Sequence, residues 1–246
     1  MTICAIMQPT YLPWIGYLAL MDMADVFVFL DDVQLSKQSW QTRNRIKSEA
    51  GKDLMLSVPV RHAGNQPIRD VEIDGAHWVA KHLRSFEQNY RKAPHFADAM
   101  MLYEPILRSE PAKLCDLNIA LISGISDRLG ITGKHIRSSQ IAEKSADRRD
   151  RLVDICKQFG ADTYLSPAGA AGYLTEEDGE AQFAVHGMTL LYQRYEHPTY
   201  PQINGAFLSH MCALDLIANV GAGQAATIMR SGIRPSSAAQ PAKETV

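Results

Sequence analysis

The chain has 246 residues, of which 46% are hydrophobic and 21% are charged, and this balance excludes an intrinsically disordered protein. Its 25 Lys and Arg against 27 Asp and Glu give a formal net charge of −2, which argues against a DNA-binding protein, since such proteins carry a basic excess. No apolar run approaches the roughly 20 residues of a membrane span, and no signal peptide is recognisable, so we expect a cytoplasmic protein.

The first thirty residues predict a strand, a helix and a second strand. Residues 2–7 are nearly all apolar, as in a buried parallel strand, and Pro9 and Pro13 then interrupt the run. Residues 15–24 place apolar side chains on one helical face, and residues 25–30 form a second strand-like run that ends at two aspartates. This order is the βαβ signature of an α/β fold.

Further elements alternate along the rest of the chain. The predicted strands are residues 53–60, 69–73, 134–137, 161–165 and 188–193, and the predicted helices are residues 78–90, 95–107, 111–129, 148–159 and 207–220. We therefore predict a three-layer, Rossmann-like α/β fold with a mostly parallel sheet and a β-rich insertion after the second strand. Residues 1–229 form one domain in this prediction, and residues 230–246, which lack periodicity, form a disordered tail.

Polar residues that follow the predicted strands are the first candidates for a site, because ligands of such folds bind at the carboxyl ends of the strands. The candidates are Gln8, Tyr11 and Tyr17 after the first strand, Asp31, Asp32 and Gln34 after the second, and Ser166 with the small-residue loop to Gly172 after a later one. That loop either lets backbone N–H groups approach an anion or forms a tight strand-to-helix turn. It carries neither a P-loop nor a dinucleotide-binding motif.

Residues 13–17, Pro-Trp-Ile-Gly-Tyr, have the layout of the HxGH loop of nucleotidyltransferases, with Trp14 and Tyr17 in place of the two histidines. Large polar aromatic side chains need partners when they are buried. This favours a functional loop over a rigid turn in which Tyr11 and Trp14 only cap the sheet. A nucleotidyltransferase-like, ATP-binding enzyme is therefore one hypothesis.

Charged residues follow the second strand. Asp31 and Asp32 suit a metal, a sugar, an amine or general-base chemistry, and a strand-end turn with an Asx cap is equally compatible. Farther along, Trp40 precedes Arg43-Asn44-Arg45. Guanidinium groups bind carboxylate or phosphate through two hydrogen bonds, although a solvated basic loop gives the same pattern.

Two histidines are candidate bases. His82 lies on a predicted helix, where a packed core position is equally compatible. His197 lies in a loop rich in donors and acceptors that also holds Tyr195, Tyr200 and Gln202, and the prolines in this loop keep it extended. No HExxH motif and no CxxC pair occurs among the 8 histidines and 4 cysteines, so we expect no metal site.

Separate blocks, in the same order, resemble the WbqC-like family from residue 3 to residue 221. The blocks are Ala5-Ile6-Met7-Gln8-Pro9 with Tyr11, Pro13, Gly16 and Tyr17; Asp31-Asp32-Val33-Gln34; Trp40; Arg43-Asn44-Arg45; Pro59-Val60; Lys81-His82-Leu83; Leu117-Asn118; Ser138-Ser139; Arg151-Leu152 with Ile155-Cys156; Tyr164-Leu165-Ser166; Tyr195 to Gln202; Phe207; and Asp215. The sequence departs from the family pattern at Ser166-Pro167, where Ser-Gly is expected. The resemblance implies a product of O-antigen or other surface-polysaccharide gene clusters, in which one member has been suggested to be a glycine transferase acting on a sugar amine.

The residues and the resemblance together predict an acyl or aminoacyl transferase, such as a glycine transferase. Its acceptor is expected to be an amino sugar or related amine in surface-polysaccharide or secondary-metabolite biosynthesis. Such transfer needs a base, for which His82 and His197 are the candidates, and Asp32 is expected to position the amine. The alternatives are nucleotidyl transfer and a non-catalytic binding protein of a polysaccharide assembly pathway.

The expected acceptor is a small-molecule amine or a nucleotide-linked sugar. The expected donor is an aminoacyl-tRNA, a carrier-protein thioester or a coenzyme thioester, and the sequence selects no cofactor. The candidate substrate-binding residues are Gln8, Tyr11, Tyr17, Asp31, Gln34, Trp40, Arg43, Asn44, Ser166, Tyr195, Tyr200 and Gln202.

Overall fold

The computed structural model of the protein describes residues 1–36, 38–61, 65–167, 169 and 179–238. In chain order its elements are β1 (Ile3–Met7), α1 (Ile15–Asp22), β2 (Val26–Phe29), β3 (Arg43–Lys47), β4 (Asp53–Ser57), β5 (Val60–Arg61), β6 (Glu72–Ile73), α2 (His77–Tyr90), α3 (Phe96–Arg108), α4 (Leu114–Leu129), β7 (Lys134–Arg137), α5 (Arg148–Gln158), β8 (Thr163–Ser166), α6 (Gly179–Val185), β9 (Thr189–Tyr195), α7 (Ala213–Ser231) and β10 (Ile233–Ser237). Helix α7 is bent at Gly221, whose φ of 77° lies outside the helical region.

Apolar strands form the centre of a six-stranded sheet in the order β10–β9–β8–β1–β2–β7. Strands β9, β8, β1, β2 and β7 are parallel, and β10 pairs with β9 in the antiparallel direction. From β1 the chain passes to β2 on one side, and later it returns to β8 on the other side of β1. Such a switch point opens a crevice at the carboxyl ends of the two strands.

Alternating side chains of the strands build a core on each face of the sheet. Ala5 and Phe27 pack in the larger core, to which α1, α2, α3, α4 and α7 contribute. Cys4, Ile6 and Val26 pack in the smaller core with residues of α5 and α6. The predicted three-layer α/β fold is therefore confirmed. Within the described ranges, no helix is both long and apolar enough to cross a membrane.

Two antiparallel strand pairs, β3 with β4 and β5 with β6, lie between β2 and α2 and form the predicted β-rich insertion. Strand β3 itself was not predicted, because its residues are mostly charged and resemble a basic loop. In the structure Asn44 and Ile46 are buried, while Arg43 and Arg45 on the opposite face are partly exposed. Lys47 at the end of the strand is also buried, so burial alternates only over residues 43–46 and Ile46 is the one apolar residue among the three that are buried.

The prediction of a disordered tail from residue 230 is wrong for the residues that the structure describes. Helix α7 continues to Ser231, and β10 then pairs with β9, with a shift of register between Arg234 and Ser237. Pro235 lies in this irregular stretch of an edge strand, where proline is tolerated, so the sequence shows no clean alternation. Residues 239–246 lie outside the described part of the chain. The structure also begins the last helix at Ala213, later than predicted, and adds α6.

Candidate functional site

Residues 8–14, which we call the β1–α1 loop, lie at the switch point and are held by side chains from distant parts of the chain. Asn44 Nδ2 donates hydrogen bonds to the carbonyl oxygens of Tyr11 at 3.0 Å and Leu12 at 2.8 Å. The N–H of Tyr11 donates to the carbonyl of Trp40 at 3.0 Å. Leu12 has a φ of 45°, a left-handed conformation that is unfavourable for leucine. Strained residues held by their surroundings cluster at functional sites, so this loop is the centre of the candidate site.

Three side-chain amides converge on the start of the β1–α1 loop. Gln41 Nε2 donates to Gln8 Oε1. Asn118 Nδ2 donates to the carbonyl oxygens of Pro9 at 3.1 Å and Gln41 at 2.8 Å, which uses both of its amide hydrogens. Gln8 is only partly buried, and its Nε2 has no hydrogen-bond partner among the residues that the structure describes. It is therefore available as a donor to a ligand.

Three buried oxygens beside this loop lack a hydrogen-bond partner within the described residues: Thr10 Oγ1, Gln41 Oε1 and Asn118 Oδ1. Leaving a buried polar atom unpaired costs about 1–3 kcal/mol. All three oxygens can accept hydrogen bonds, and the residues that carry them either belong to the loop or are hydrogen-bonded to its start. The arrangement matches a ligand that carries several hydroxyl or amino groups.

The two aspartates after β2 bind the residues that follow β7, the neighbouring parallel strand. Ser138 Oγ lies 3.0 Å from Asp31 Oδ1 and 2.5 Å from Asp32 Oδ1. Ser139 donates its N–H (2.9 Å) and its hydroxyl (2.7 Å) to Asp31. Asp31 is fully buried, whereas Asp32 is partly exposed. Asp31 therefore ties two strand ends together, and Asp32 is the carboxylate that a ligand can approach.

Asp32 is paired with two cations. Lys144 Nζ lies 3.0 Å from Asp32 Oδ2, and an Arg151 guanidinium nitrogen lies 3.8 Å from Asp32 Oδ1. Burial raises the pKa of Asp32, but hydrogen bonds from Ser138 and Lys144 and the charges of Lys144 and Arg151 outweigh burial and lower it below its ordinary value. Asp32 is therefore ionised at neutral pH, and the cluster fixes the start of α5 against the sheet edge.

Trp14 at the end of the β1–α1 loop is covered by two histidines. The His197 ring stacks on it with centroids 6.1 Å apart, and the His210 ring lies at 5.0 Å. A Cβ at Gly16 would lie 2.1 Å from the Trp14 ring, so only glycine lets the indole cross the first turn of α1. His197 Nδ1 lies 3.0 Å from the Pro198 carbonyl oxygen, and its Nε2 accepts the His210 N–H at 3.1 Å.

His82, on helix α2, contacts the same loop through Tyr11. The Tyr11 hydroxyl lies 2.8 Å from His82 Nδ1, and the Trp78 ring packs edge-on against the imidazole. His82 is 2% exposed. These contacts show that His82 helps to pack helix α2 against the loop. The hydrogen bonds of His197 show a similar structural role for that residue. The catalytic roles of the two histidines stay predictions.

Tyr200 and Gln202 belong to a buried network around Asp215. Tyr200 Oη and Gln202 Nε2 donate to Asp215 Oδ2 at 2.8 Å and 2.7 Å, and Tyr90 Oη donates to Asp215 Oδ1 at 2.8 Å. Lys47 Nζ donates to Gln202 Oε1 at 3.1 Å. Burial raises the pKa of Asp215, and the three hydrogen bonds oppose that effect. The polar atoms of Tyr200 and Gln202 are thus used to hold the loop that carries His197.

The other predicted residues fall in several places. Their hydrogen bonds are Tyr17 Oη to the Gln8 carbonyl (3.2 Å), Tyr195 Oη to the Met229 carbonyl (3.0 Å), Gln34 Nε2 to Asn65 Oδ1 (3.0 Å) and Ser166 Oγ to the Pro167 carbonyl (3.3 Å). Gln34 thus contacts the insertion. In the small-residue loop after β8, residues 168 and 170–172 lie outside the described residues. Trp40 is exposed in the turn before β3, and Arg43, the first residue of that strand, is partly exposed.

Several site residues were not predicted as such. Asn118 and Ser138 stand in blocks of the family resemblance, and Gln41 lies between two predicted residues, so the sequence offered a reason to consider each of these three. No sequence feature pointed to Lys144. No group of three or more His, Cys, Asp or Glu side chains that could hold a metal ion occurs in the part of the chain that the structure describes.

A family model described as the WbqC-like protein family matches residues 8–227. The chain belongs to the WbqC-like protein family. A similar protein is the uncharacterized protein Rv1507c of Mycobacterium tuberculosis (strain ATCC 25618 / H37Rv), which is 35% identical over 221 residues, covering 89% of this chain and 94% of that protein. No solved structure matches the chain. The resemblance to the WbqC-like family is thus confirmed, and the match begins at Gln8, the first residue of the β1–α1 loop.

Proposed function

We propose that the protein transfers an acyl or aminoacyl group, such as glycyl, to the amine of an amino sugar or a related small-molecule amine. The observation that carries this proposal is the polar surface at the switch point, formed by the partly exposed Gln8 amide together with Thr10, Gln41 and Asn118, whose side-chain oxygens are buried without partners among the described residues. The hydroxyl and amino groups of a sugar are complementary to such a surface. We place the reaction in the cytoplasm, in surface-polysaccharide or secondary-metabolite biosynthesis.

The chemistry is direct aminolysis. The lone pair of the amine nitrogen attacks the acyl carbonyl carbon, the C–N bond forms, and the ester or thioester bond breaks. The leaving oxygen or sulfur takes up the proton that the nitrogen loses. Asp32 is the carboxylate that we expect to orient the amine, in competition with Lys144. Holding the two reactants in this geometry supplies a large part of the rate.

The cysteines support direct transfer over a covalent enzyme intermediate. All four are free and buried. Burial raises the pKa of Cys115 and that of Cys212 to about 12, and nearby carboxylates, Asp31 and Asp215 respectively, add to the effect. Since the thiolate is the nucleophilic form, neither sulfur is ready to accept an acyl group at neutral pH.

The proposal is tested by incubating the purified full chain with a nucleotide-linked amino sugar and one donor at a time. The donors are glycyl-tRNA, a glycyl carrier-protein thioester and a glycyl coenzyme A thioester. Mass spectrometry should detect an acceptor that is heavier by one glycyl residue with one of them. Binding of the acceptor without any product would contradict the proposal in favour of a non-catalytic role, and nucleotide transfer from ATP would contradict it in favour of a nucleotidyltransferase.

A pair of glutamine variants connects this activity to the site. Gln8→Ala should lower kcat/KM about three- to tenfold, the effect of losing one neutral hydrogen bond to the acceptor. Gln88→Ala, at an exposed position of α2, is the matched control and should leave kcat/KM unchanged. Equal kcat/KM for wild type and Gln8→Ala would contradict the assignment of the activity to the polar surface at the switch point.

A further inference from the structure

Two arginines project from one face of the β3–β4 hairpin. Arg43 and Arg45 are two residues apart in β3, so their side chains leave the same face, with Cα atoms about 6–7 Å apart. Part of that face is open to solvent, since Met55, which lies opposite Arg45 in β4, is 40% exposed, whereas Lys47 at the end of the strand is buried. The hairpin therefore presents two partly exposed cationic side chains side by side.

Within the part of the chain that the structure describes, these cations lack anionic partners. Neither Arg43 nor Arg45 forms an ion pair with any residue that the structure describes, and Arg45 Nε is buried without a hydrogen-bond partner. The same hairpin carries two carboxylates, of which Asp53 lies opposite Lys47 and Glu49 forms an ion pair with Lys92 at 3.2 Å. Other arginines of the insertion are paired, as Arg61 is with Asp74 at 3.0 Å. A guanidinium group held in a partly buried position without a partner is suited to an external anion.

An aromatic platform adjoins the two arginines. The Arg45 guanidinium lies 5.4 Å from the centroid of the Trp40 ring, and the indole is 45% exposed. A large exposed aromatic ring beside cationic side chains is the combination that binds the base and the phosphate of a nucleotide. The guanidinium group covers part of the indole, and a base can stack on the exposed part.

The platform continues into the polar surface at the switch point. The Trp40 carbonyl accepts the Tyr11 N–H, and the next residue, Gln41, donates to Gln8. A ligand that stacks on Trp40 and extends along this segment therefore reaches Gln8. Two guanidinium groups lie beside Trp40. The part of the ligand between the base on Trp40 and the end at Gln8 should therefore carry two phosphates.

We propose that Trp40, Arg43 and Arg45 bind the nucleoside diphosphate group of a substrate, with the base on Trp40 and the diphosphate on the arginines. Its connection to an amino sugar at Gln8 rests on the proposed function, but the binding itself does not. Nucleotide-linked sugars and coenzyme A both contain this group, so either the acceptor or the donor of the transfer carries it.

Isothermal titration calorimetry of the full chain with UDP, ADP, uridine, inorganic pyrophosphate, coenzyme A and tRNA tests the proposal. UDP or ADP should bind more tightly than uridine or pyrophosphate, since only a nucleoside diphosphate uses both parts of the site. Coenzyme A binding tighter than UDP would assign the site to the donor, and the reverse would assign it to the acceptor. Absence of binding by UDP, ADP and coenzyme A alike, or binding of tRNA alone, would overturn the proposal.

Variants of the three residues locate the binding. Arg45→Gln and Arg43→Gln should each weaken the nucleoside diphosphate about tenfold or more, the effect of losing a charge-assisted hydrogen bond. Trp40→Ala should weaken UDP while leaving pyrophosphate unchanged. Arg61→Gln is the control and should not alter binding. Arg45→Lys keeps the charge but loses the planar fork, so it should give intermediate affinity in a folded protein. Unchanged affinity in both Gln variants would contradict the assignment.

The outcomes separate this inference from the proposed function. Nucleoside diphosphate binding at Trp40 without any acyl transfer refutes the transferase and keeps the nucleotide site. Acyl transfer to a free amino sugar, with no nucleoside diphosphate binding, refutes the nucleotide site and keeps the transferase.

Discussion

His82 and His197 are held in their neutral forms by their surroundings. The pKa of each is lowered to about 4, mainly by burial, and the neighbouring Lys81 and His210 respectively add to this lowering. Hydrogen bonds to the Ser57 and Pro198 backbones oppose this effect only in part. In the unfolded chain both rings return to a pKa near 6.5. Each histidine therefore binds a proton more readily in the unfolded than in the native state.

The free energy of unfolding should accordingly fall as the pH is lowered from about 6.5 towards 4. Above that window both states are neutral and His82 has no effect on the pH dependence. Inside it only the unfolded state is protonated, so the buried His82 contributes a slope of about 1.4 kcal/mol per pH unit. Urea unfolding between pH 4.5 and 7.5 should show a shallower pH dependence for His82→Gln than for the wild type.

Gln88→Ala serves as the control for that measurement, since it changes an exposed residue of the same helix and should keep the wild-type slope. Identical slopes for wild type and His82→Gln would mean that the His82 pKa is not lowered in the folded protein.

The sequence predicted part of the site through the rule that ligands bind at the carboxyl ends of parallel strands. Gln8, Tyr11 and Asp32 follow predicted strands, so the strand-end rule was enough to select them. It could not select Asn118, because that side chain reaches the β1–α1 loop across 109 residues of sequence, from the middle of a helix. Nor could it show that the Tyr200 hydroxyl is used by Asp215. Which polar atoms remain unpaired is a property of tertiary contacts alone.

The edge strand β10 is expected to stabilise the sheet. It covers β9, and its Arg234 forms an ion pair with Glu196 at 2.7 Å. A chain truncated after Gly232 loses this strand and exposes the β9 edge, whereas a chain truncated after Ala238 retains it. The first should unfold at a lower temperature than the second, by roughly 4–8 °C for a loss of about 2 kcal/mol.

Calorimetric melting of the two truncated chains, together with size-exclusion chromatography, checks this result. The shorter chain should also associate more readily, because an open strand edge pairs with other chains. Equal melting temperatures would show that β10 adds nothing to the stability of the sheet.

The central strands β1 and β2, which were predicted, differ in one physical respect from β3 and β10, which were not. Strands β1 and β2 are buried on both faces, so they appear as continuous apolar runs. Strands β3 and β10 are short strands at sheet edges and contain arginine or proline where a central strand would be apolar. Their pairing is decided by neighbours that are distant in sequence, and a local pattern cannot report those neighbours.

At the scale of the whole molecule, the strand order determines where chemistry can occur. The reversal between β1 and β8 places the β1–α1 loop at the switch point, and side chains from β3, α2, α4 and the loop after β9 all contact that loop. The fold class followed from the alternation of elements, because that alternation restricts the topologies available, whereas the strand order that creates the switch point is seen only in the structure. The polar surface itself is formed by side chains that are distant in sequence and meet at this loop.

Hydrogen exchange with and without a nucleotide-linked amino sugar, read by mass spectrometry on the full chain, tests the claim that the ligand binds at the β1–α1 loop and the adjoining hairpin. Peptides that cover residues 8–14 and 40–46 should exchange more slowly in the presence of the ligand, while those of α3 should not change. Protection confined to other parts of the sheet edge or to the helices, with residues 8–14 unaffected, would contradict the claim.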